Sequence, residues 1–264
     1  MSGWVFEAVG TRWEILTASP LPQDARDAVV GVVAAFDAEW SRFRADSLVT
    51  RLSQHPGAVP APADAADMLD AFRELSEATA GAVNPQAAPA DWTRMLRWNA
   101  SELSLSAPAI IDVGALGKGR LVDLVLAVLE GMPGRVIVDA GGDLRVRGGN
   151  ARVALEHPYD ASSAIGVAVV ADGALCASAI GRRAWGDGLH HVLDARNVLP
   201  VRTWAATWAL APDAMHADAP ATALFFEGGE ELAARWDAEW VRMTTDGRVQ
   251  RSPGFGGELF LAAV

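Results

Sequence analysis

The chain has 264 residues, of which 51% are hydrophobic and 21% charged, so it is long enough to bury a core and lies outside the disordered and collagen-like classes. Its formal net charge of −11 excludes an overall field that attracts nucleic acid or anionic lipid, so a bound phosphate needs a local site or a metal. The single cysteine, Cys176, excludes an internal disulfide. Neither a signal-peptide pattern nor a long apolar run is found, which predicts a cytoplasmic protein without membrane insertion.

The first part of the chain predicts short strands followed by two amphipathic helices. Residues 4–16 mix aromatic, β-branched and polar side chains, as strands do. Helices are predicted over 22–40 and 64–80, because apolar residues recur there at three- and four-residue steps. The Pro/Gly/Ala-rich stretch 53–63 separates them, and the second helix ends near Gly81.

From residue 110 onward the pattern changes to short strands around glycine turns. We predict a strand over 110–113, a glycine-rich turn over 114–119, a helix over 121–129, and two strands around a tight turn within 135–147. Further strands are predicted over 152–156, 165–170, 174–178, 190–193, 203–210, 239–243 and 258–262, and helices over 217–227 and 230–237. Irregular alternation with many hairpin signals favours an α+β fold with a mixed sheet.

The glycine-rich turn Gly114-Ala115-Leu116-Gly117-Lys118-Gly119 is a candidate phosphate site. Glycines allow close backbone approach, a helix N-terminus offers unpaired N–H groups, and Lys118, the only lysine of the chain, adds a positive charge. The spacing is neither that of a nucleotide P-loop nor G-x-G-x-x-G. An ordinary strand-to-helix connection is the alternative.

A second candidate site is Asp218-Ala219-Pro220-Ala221-Thr222. If Asp218 opens a helix with Pro220 in its first turn, the Asp218 carboxylate and the Thr222 hydroxyl lie on one face. Such an oxygen pair suits Mg²⁺, which takes few protein ligands and completes its shell with water and phosphate oxygens. The alternative is that Asp218 is a helix N-cap and Thr222 a packing residue.

The segment 182–194 contains two adjacent arginines that could neutralise phosphate and two adjacent histidines that could handle a proton. Because neighbouring residues of a strand point to opposite faces, at most one of His190 and His191 reaches a given site. A hydrolase triad of Ser178, His191 and Asp194 has weak support, since no G-x-S-x-G pattern surrounds the serine.

Taken in order, these segments resemble a known family. The most specific patterns are D-x-G-x-x-x-K-G-x-x-x-D from Asp112 to Asp123 and D-A-x-x-T-A from Asp218 to Ala223. Matching segments elsewhere are Gly10-Thr11-x-Trp13, Ser41-x-Phe43-x-x-Asp46-Ser47, Asn84-Pro85, Gly141-Gly142-Asp143 and His190-His191-x-x-Asp194. From about residue 6 to 262 the chain is similar to the FAD:protein FMN transferase family, ApbE.

The resemblance implies a fold, a reaction and a partner. The fold would be a single ApbE-like domain over 1–264, with mixed sheets, flanking helices and a nucleotide groove between subdomains. The reaction would be Mg²⁺-dependent transfer of FMN from FAD to a Thr or Ser hydroxyl of an acceptor flavoprotein, with release of AMP. The alternatives are an FAD pyrophosphatase that gives FMN and AMP, and a catalytically decayed FAD-binding protein.

The resemblance also implies roles for particular residues. Asp218 and Thr222 would be the side-chain metal ligands, joined by backbone carbonyls near Gly114, Ala115 and Ala219. The catalytic residues would be Asp218 and His191, with His191 handling the proton and Asp194 as its orienting partner. Lys118 and its flanking amides would lie near the diphosphate or order the loop, and Asp143 would bond the adenosine part. The implied FAD-binding residues are Gly10, Thr11, Asn84, Gly117, Lys118, Gly119, Gly141, Gly142, Asp143, Ser178 and His191.

Two segments depart from the family pattern. Where A-T-S-G is usual, the chain has Cys176-Ala177-Ser178-Ala179, and where D-P-x-T-G is usual it has Asp194-Ala195-Arg196-Asn197-Val198. In the family both segments line the flavin end of the groove. We therefore expect ring placement and acceptor access to differ here.

Overall fold

Helices and antiparallel strands make up the computed structural model, which describes residues 1–86, 91–180 and 192–260. The helices are α1 (Gln23–Trp40), α2 (Leu48–Gln54), α3 (Ala65–Ala78), α4 (Trp92–Met95), α5 (Gly117–Val128), α6 (Met215–Ala223) and α7 (Gly229–Arg235). The strands are β1 (Ser2–Ala8), β2 (Thr11–Thr17), β3 (Gly57–Pro60), β4 (Leu96–Trp98), β5 (Glu102–Leu105), β6 (Val136–Asp139), β7 (Asp143–Arg147), β8 (Asn150–His157), β9 (Asp160–Ala171), β10 (Ala174–Ala179), β11 (Leu193–Asp194), β12 (Leu199–Pro200), β13 (Trp204–Ala211), β14 (Glu239–Thr244), β15 (Val249–Arg251) and β16 (Glu258–Leu259).

An eight-stranded sheet in the order β1-β2-β6-β7-β10-β13-β14-β15 forms the centre of the fold. Smaller sheets are β16-β9-β8, β3-β5-β4 and β11-β12. The α+β class with flanking helices is confirmed. All strand pairs of the described residues are antiparallel, whereas the sequence predicted a mixture of parallel and antiparallel strands. Hairpins such as β1–β2 and β6–β7 need only tight turns, which favours the antiparallel arrangement.

The central sheet is covered on both faces. Along β6, Val136 and Val138 join the larger core with the helices, while Ile137 joins a second core with β8 and β9. This alternation is the period of two expected for a strand that is buried on both sides. The candidate site residues around Asp218 described below lie where strands of this sheet meet α5 and α6.

Several predicted element boundaries were wrong. Residues 110–113 form no strand, because the Asp112 N–H donates to Pro85 O (2.7 Å) and this segment bonds to a loop instead of a sheet. Helix α5 starts at Gly117 rather than 121, so the second half of the glycine turn, Gly117-Lys118-Gly119, begins the helix. Helix α6 starts at Met215, and Pro220 therefore lies inside it rather than in its first turn.

Other differences are smaller. Strand β3 lies within the predicted break 53–63, and α2 precedes it. Of the strand predicted over 190–193, residues 190 and 191 lie outside the described part of the chain, and β11 begins at Leu193. Within the described ranges, the structure contains no helix with the length and apolarity needed to span a membrane.

Candidate functional site

Helices α5 and α6 meet at Gly119 and Asp218, which are 99 positions apart in the sequence. The Gly119 N–H donates a hydrogen bond to Asp218 Oδ2 at 2.9 Å, and the Asp218 side chain is only 4% exposed. A Cβ at Gly119 would overlap Ala214 O, so a glycine is required for this approach. The fold therefore brings the two most specific sequence patterns into direct contact.

Because α6 begins at Met215, Asp218 lies in its first turn but is not its N-cap. The N-cap alternative is therefore wrong. Its carboxylate instead accepts a hydrogen bond from another helix. Thr222 is half-buried and lies one helical turn further along α6, as the spacing predicts.

A buried charge cluster surrounds this contact. Lys118 Nζ lies 2.7 Å from Asp143 Oδ2, and the Asp143 carboxylate is 1% exposed. Burial lowers the pKa of Lys118, but the charges of Asp143 and Asp218 outweigh it, so the net shift is upward. Two carboxyl groups thus share one ammonium group. In the described residues no further hydrogen-bond donor reaches the Asp143 oxygens.

The cluster strongly perturbs Asp218. Burial, followed by the repulsion of Asp143, raises the pKa of Asp218 to about 8, although Lys118 and the Gly119 amide act in the opposite direction. Its charged form is therefore disfavoured in the ligand-free protein. A positive charge placed beside it would reverse that preference.

Cys176 on β10 belongs to the same buried region, opposite Asp143 in the β7–β10 register. Its thiol is fully buried and donates to Ala214 O, with Sγ at 3.4 Å. Burial raises the pKa of Cys176 well above its usual value, and the neighbouring Asp143 and Asp218 add to the effect. The thiol is a packing group here, not a nucleophile.

The amides of the glycine turn are engaged within the protein. The Gly117 N–H donates to Val113 O at 2.7 Å, and that of Gly119 to Asp218. A Cβ on Gly117 would lie 2.8 Å from Val113 Cγ2. These two glycines therefore act through their small size, and the positive charge of this turn is the ammonium group of Lys118.

Asp123 fixes the start of α6, a role that the sequence did not indicate. Its carboxylate accepts hydrogen bonds from Ala214 N (2.8 Å) and Met215 N (3.0 Å), and it pairs with Arg145 at 2.6 Å. Burial raises the pKa of Asp123 in spite of Arg145. Its place at the end of the D-x-G-x-x-x-K-G-x-x-x-D pattern was the only available signal, because its partners lie about 90 residues away.

The turn between β6 and β7 packs against the start of β2. Gly141 has a φ of +68°, and a Cβ there would overlap Thr11 Oγ1. The Gly142 N–H donates to Asp139 Oδ1 (3.1 Å), and Gly142 O accepts from Ala177 N (3.0 Å). Gly10, also at positive φ, precedes Thr11 in the β1–β2 turn. The predicted residues at 10, 11, 141 and 142 are thus brought together.

Asn84 lies in the loop after α3 and is joined to the lysine segment through the backbone. Its Nδ2 donates to Gly81 O (3.2 Å), and its Oδ1 accepts from Gln86 N (3.0 Å). Pro85 O accepts from Asp112 N, and Asp112 Oδ1 accepts from Gly114 N at 2.8 Å. Gly114 is exposed and Ala115 is half-buried in the turn that follows.

Ser178 lines a cavity of about 320 Å³. The walls come from β10, from Trp208 on β13, and from the β8–β9 turn with His157 and Tyr159. Ser178 is half-buried and lies opposite Thr207 in the β10–β13 register.

His191, predicted as the proton-handling residue, lies outside the described residues, as do His190, Arg182 and Arg183. Asp194, its expected orienting partner, pairs with Arg196 through an Nη2–Oδ2 distance of 2.6 Å. The hydrogen bond from Arg196 lowers the pKa of Asp194. The carboxylate of this altered segment thus has a partner within its own turn.

The chain is similar to known proteins in sequence and in structure. The family model described as "ApbE family" matches residues 9–101 and 90–241. An FAD:protein FMN transferase of Rhodobacter capsulatus is 31% identical over 161 residues, covering 56% of this chain and 31% of that protein. The chain therefore spans less than a third of the length of this curated relative.

Solved structures match the whole fold. The ApbE protein of Thermotoga maritima has a TM-score of 0.80 at 20% identity, covering 96% of this chain and 97% of that one. The flavin transferase ApbE of Vibrio cholerae gives 0.78 at 19% identity, with 96% and 97% covered. The apo flavinyl transferase ApbE of Pseudomonas stutzeri gives 0.77 at 18%, with 96% and 94% covered. With its fold matched throughout and the family model covering most of its sequence, this chain belongs to the ApbE family.

Proposed function

We propose that the protein is a Mg²⁺-dependent FAD:protein FMN transferase that modifies a Thr or Ser hydroxyl of a partner protein and releases AMP. Membership of the ApbE family and the activity named for the Rhodobacter capsulatus relative support this reaction. The observation that carries the proposal is the buried Asp218 carboxyl, held by Gly119 beside Lys118 and Asp143. When Asp218 is ionised, two acids around one base give a net negative site that suits a divalent cation.

The residues present fit Mg²⁺ chemically. Burial and Asp143 disfavour the charge on Asp218, so a nearby cation would stabilise its ionised form. The Thr222 hydroxyl and the backbone carbonyls of Gly114 and Ala115 would add hard oxygen donors. The described residues contain no group of three or more His, Cys, Asp or Glu side chains that could hold a metal, so Asp218 and Thr222 are the only side chains that we propose as ligands. When bound, the ion would neutralise charge on the diphosphate.

The proposed reaction is a phosphoryl-type displacement. The acceptor hydroxyl oxygen bonds to the phosphorus of the FMN half of FAD, and the bond from that phosphorus to the bridging oxygen breaks. AMP leaves with the electron pair. We propose that His191 is the base that accepts the proton of the hydroxyl group. The positive charge of Lys118 would offset the negative charge of the diphosphate.

Hydrolysis of FAD is the second candidate. It would follow if the altered segments 176–179 and 194–198 prevent an acceptor from approaching, and the Arg196–Asp194 pair is the observation that favours it. Water would then take the place of the hydroxyl.

For the transferase we propose a cytoplasmic acceptor, in keeping with a buried lone cysteine that requires no oxidising compartment.

The test is to incubate the purified protein with FAD and Mg²⁺, with and without candidate acceptor proteins. We expect AMP together with a mass increase on the acceptor equal to FMN less water. In Asp218→Ala both signals should disappear, while the exposed control Asp27→Ala should retain them.

Each outcome identifies one reading. AMP without an acceptor indicates the pyrophosphatase, and FAD binding without turnover, with or without Mg²⁺, indicates a decayed enzyme. Unchanged turnover in Asp218→Ala would remove the site assignment. A His191→Ala variant should slow transfer far more than it weakens FAD binding, and equal losses in both would leave His191 a binding role only.

A further inference from the structure

Gln86 carries a buried amide group that has no partner among residues 1–86, 91–180 and 192–260. Its side chain is 4% exposed, and neither Nε2 nor Oε1 has a hydrogen-bond partner within the described chain. Exchanging the two atoms by rotating the amide would not help, because both positions lack a partner. Buried polar groups are nearly always hydrogen-bonded, so an amide left open at both ends calls for an external partner.

The neighbouring amide, Asn84, is used differently. Its side chain bonds Gly81 O and Gln86 N, which closes the turn after α3. Asn84 therefore shapes the loop, and the amide that remains available in this loop is that of Gln86. In this loop, the resemblance to the ApbE family implies an FAD-binding role for Asn84 alone.

The loop 82–86 connects two segments of the proposed FAD site. On one side Pro85 O accepts from Asp112 N (2.7 Å), at the start of the lysine segment. On the other, Ala82 O accepts from Ala195 N (2.9 Å), in the altered segment 194–198. The loop that carries Gln86 is thus bonded to both segments. The lysine segment is the one proposed to lie near the diphosphate, and the resemblance assigns the segment 194–198 to the flavin end.

We infer that the Gln86 carboxamide is a substrate-binding residue that makes paired hydrogen bonds to a heterocycle edge of FAD. This inference rests on the proposed function. A carboxamide presents one donor and one acceptor side by side, which matches an edge with the reverse pair. The pyrimidine edge of the flavin and the amino edge of adenine both offer such a pair, and a phosphate does not.

The test compares Gln86→Met with the wild type by titration with FAD, FMN and ADP. Methionine nearly keeps the shape but loses the paired polar atoms, and we expect FAD to bind about tenfold more weakly. Gln86→Glu, which keeps an acceptor and loses the donor, should weaken FAD binding as well. The exposed Gln54→Met serves as the matched control and should bind as the wild type does.

FMN and ADP show which edge is bound. If the variant binds FMN and FAD more weakly but binds ADP as the wild type does, Gln86 binds the flavin edge. If it binds ADP and FAD more weakly but not FMN, Gln86 binds the adenine edge. Either result supports the inference. Thermal unfolding without ligand gives an independent readout, because removing an unpartnered amide should leave Gln86→Met at least as stable as the wild type.

Unchanged binding of all three ligands by Gln86→Met and Gln86→Glu would overturn the inference and leave the proposed function intact. A marked loss of stability in ligand-free Gln86→Met would also count against it, since the amide would then have a partner within the protein. If the wild type bound neither FAD, FMN nor ADP, the proposed function would fall, and this inference with it.

Discussion

At the scale of single residues, the notable property of Asp218 is that folding disfavours its charge. The group sits in the first turn of α6, where an acid is normally favourable, yet burial and Asp143 outweigh the helix and Lys118. An enzyme that must bind a cation gains from such a group, because the carboxylate is stabilised only when the cation is present. The same property makes the ligand-free protein sensitive to pH.

We therefore predict that stability without metal falls as the pH rises. The pKa of Asp218 is about 8 in the folded protein against an ordinary 3.8, so the folded state holds this proton more tightly than the unfolded state. The free energy of unfolding should decrease across this interval, and Asp218→Asn should remove that part of the dependence. Chemical unfolding from pH 5 to 8 in a chelator measures it.

The sign of the effect makes the prediction easy to contradict. Asp218→Asn should gain stability relative to the wild type as the pH rises, with the smallest difference near pH 5. A gap that is constant with pH, or one that grows toward low pH, would mean that Asp218 is ionised in the folded protein without a cation.

Some residues of the candidate site could be proposed from sequence and others could not. Asp218, Thr222 and Lys118 belong to compact patterns with the residue types that a metal and a phosphate need. Asp123 is marked only by its place in a pattern, and its role depends on bonds to a distant helix. Gln86 has no local signal, because its interest depends on the lack of a partner among the described residues. Spacing reveals what a residue can bind, and only the fold reveals whether its polar atoms are already used.

At the scale of elements, the contact between α5 and α6 determines where Asp218 lies. Gly119 allows the two helices to approach, and Asp123 bonds the first amides of α6. One helix thus supplies both the close contact and the cap for the other. The position of the carboxyl group is set by these two interactions instead of by a flexible loop.

We predict that Gly119→Ala destabilises the protein, because the new methyl group would overlap Ala214 O. The expected loss is about 1–3 kcal/mol, as for other overpacked sites, and it should be accompanied by weaker FAD and Mg²⁺ binding. The matched control is Gly31→Ala in α1, where a Cβ meets no atom within 4 Å. This change should raise the free energy of unfolding by about 0.5–1 kcal/mol, because alanine is favoured over glycine inside a helix. Urea unfolding compares the two, and similar changes in both variants would mean that α5 and α6 can separate at no cost.

The elements differ in how well sequence predicted them. Helices α1 and α3 were predicted within about two residues, because each has a continuous apolar stripe. Residues 110–113 were wrongly predicted as a strand, since Ile111 and Val113 are buried although the segment is a loop. The start of α6 was missed because its cap, Asp123, comes from another helix.

At the scale of the whole molecule, a fold with TM-scores of 0.77 to 0.80 to ApbE structures is retained at 18 to 20% identity. The α+β class followed from hairpin signals, whereas the strand order of the central sheet depends on pairs far apart in sequence, such as β2 with β6. The periodicity of apolar residues does not indicate which distant strands pair. A net charge of −11 accompanies this fold, so the whole protein repels the diphosphate that its site would bind.

We predict that FAD and Mg²⁺ stabilise the protein together more than separately. A ligand at one hundred times its dissociation constant adds about 2.7 kcal/mol to the free energy of unfolding. Because the acidic surroundings repel the diphosphate, FAD alone should raise the melting temperature less than FAD with Mg²⁺. Calorimetry with and without chelator tests this, and the increment due to Mg²⁺ should be lost in Asp218→Ala. Equal shifts with and without the metal would argue against a shared site.

The burial of Cys176 has a practical consequence for work on this protein. Its thiol is fully covered and its pKa is raised, so reagents that modify thiolates should leave it untouched in the native state. A single cysteine introduced at any exposed position would then be the sole labelling site. A fluorophore attached there could follow the docking of an acceptor protein in real time, with the natural residue still in place.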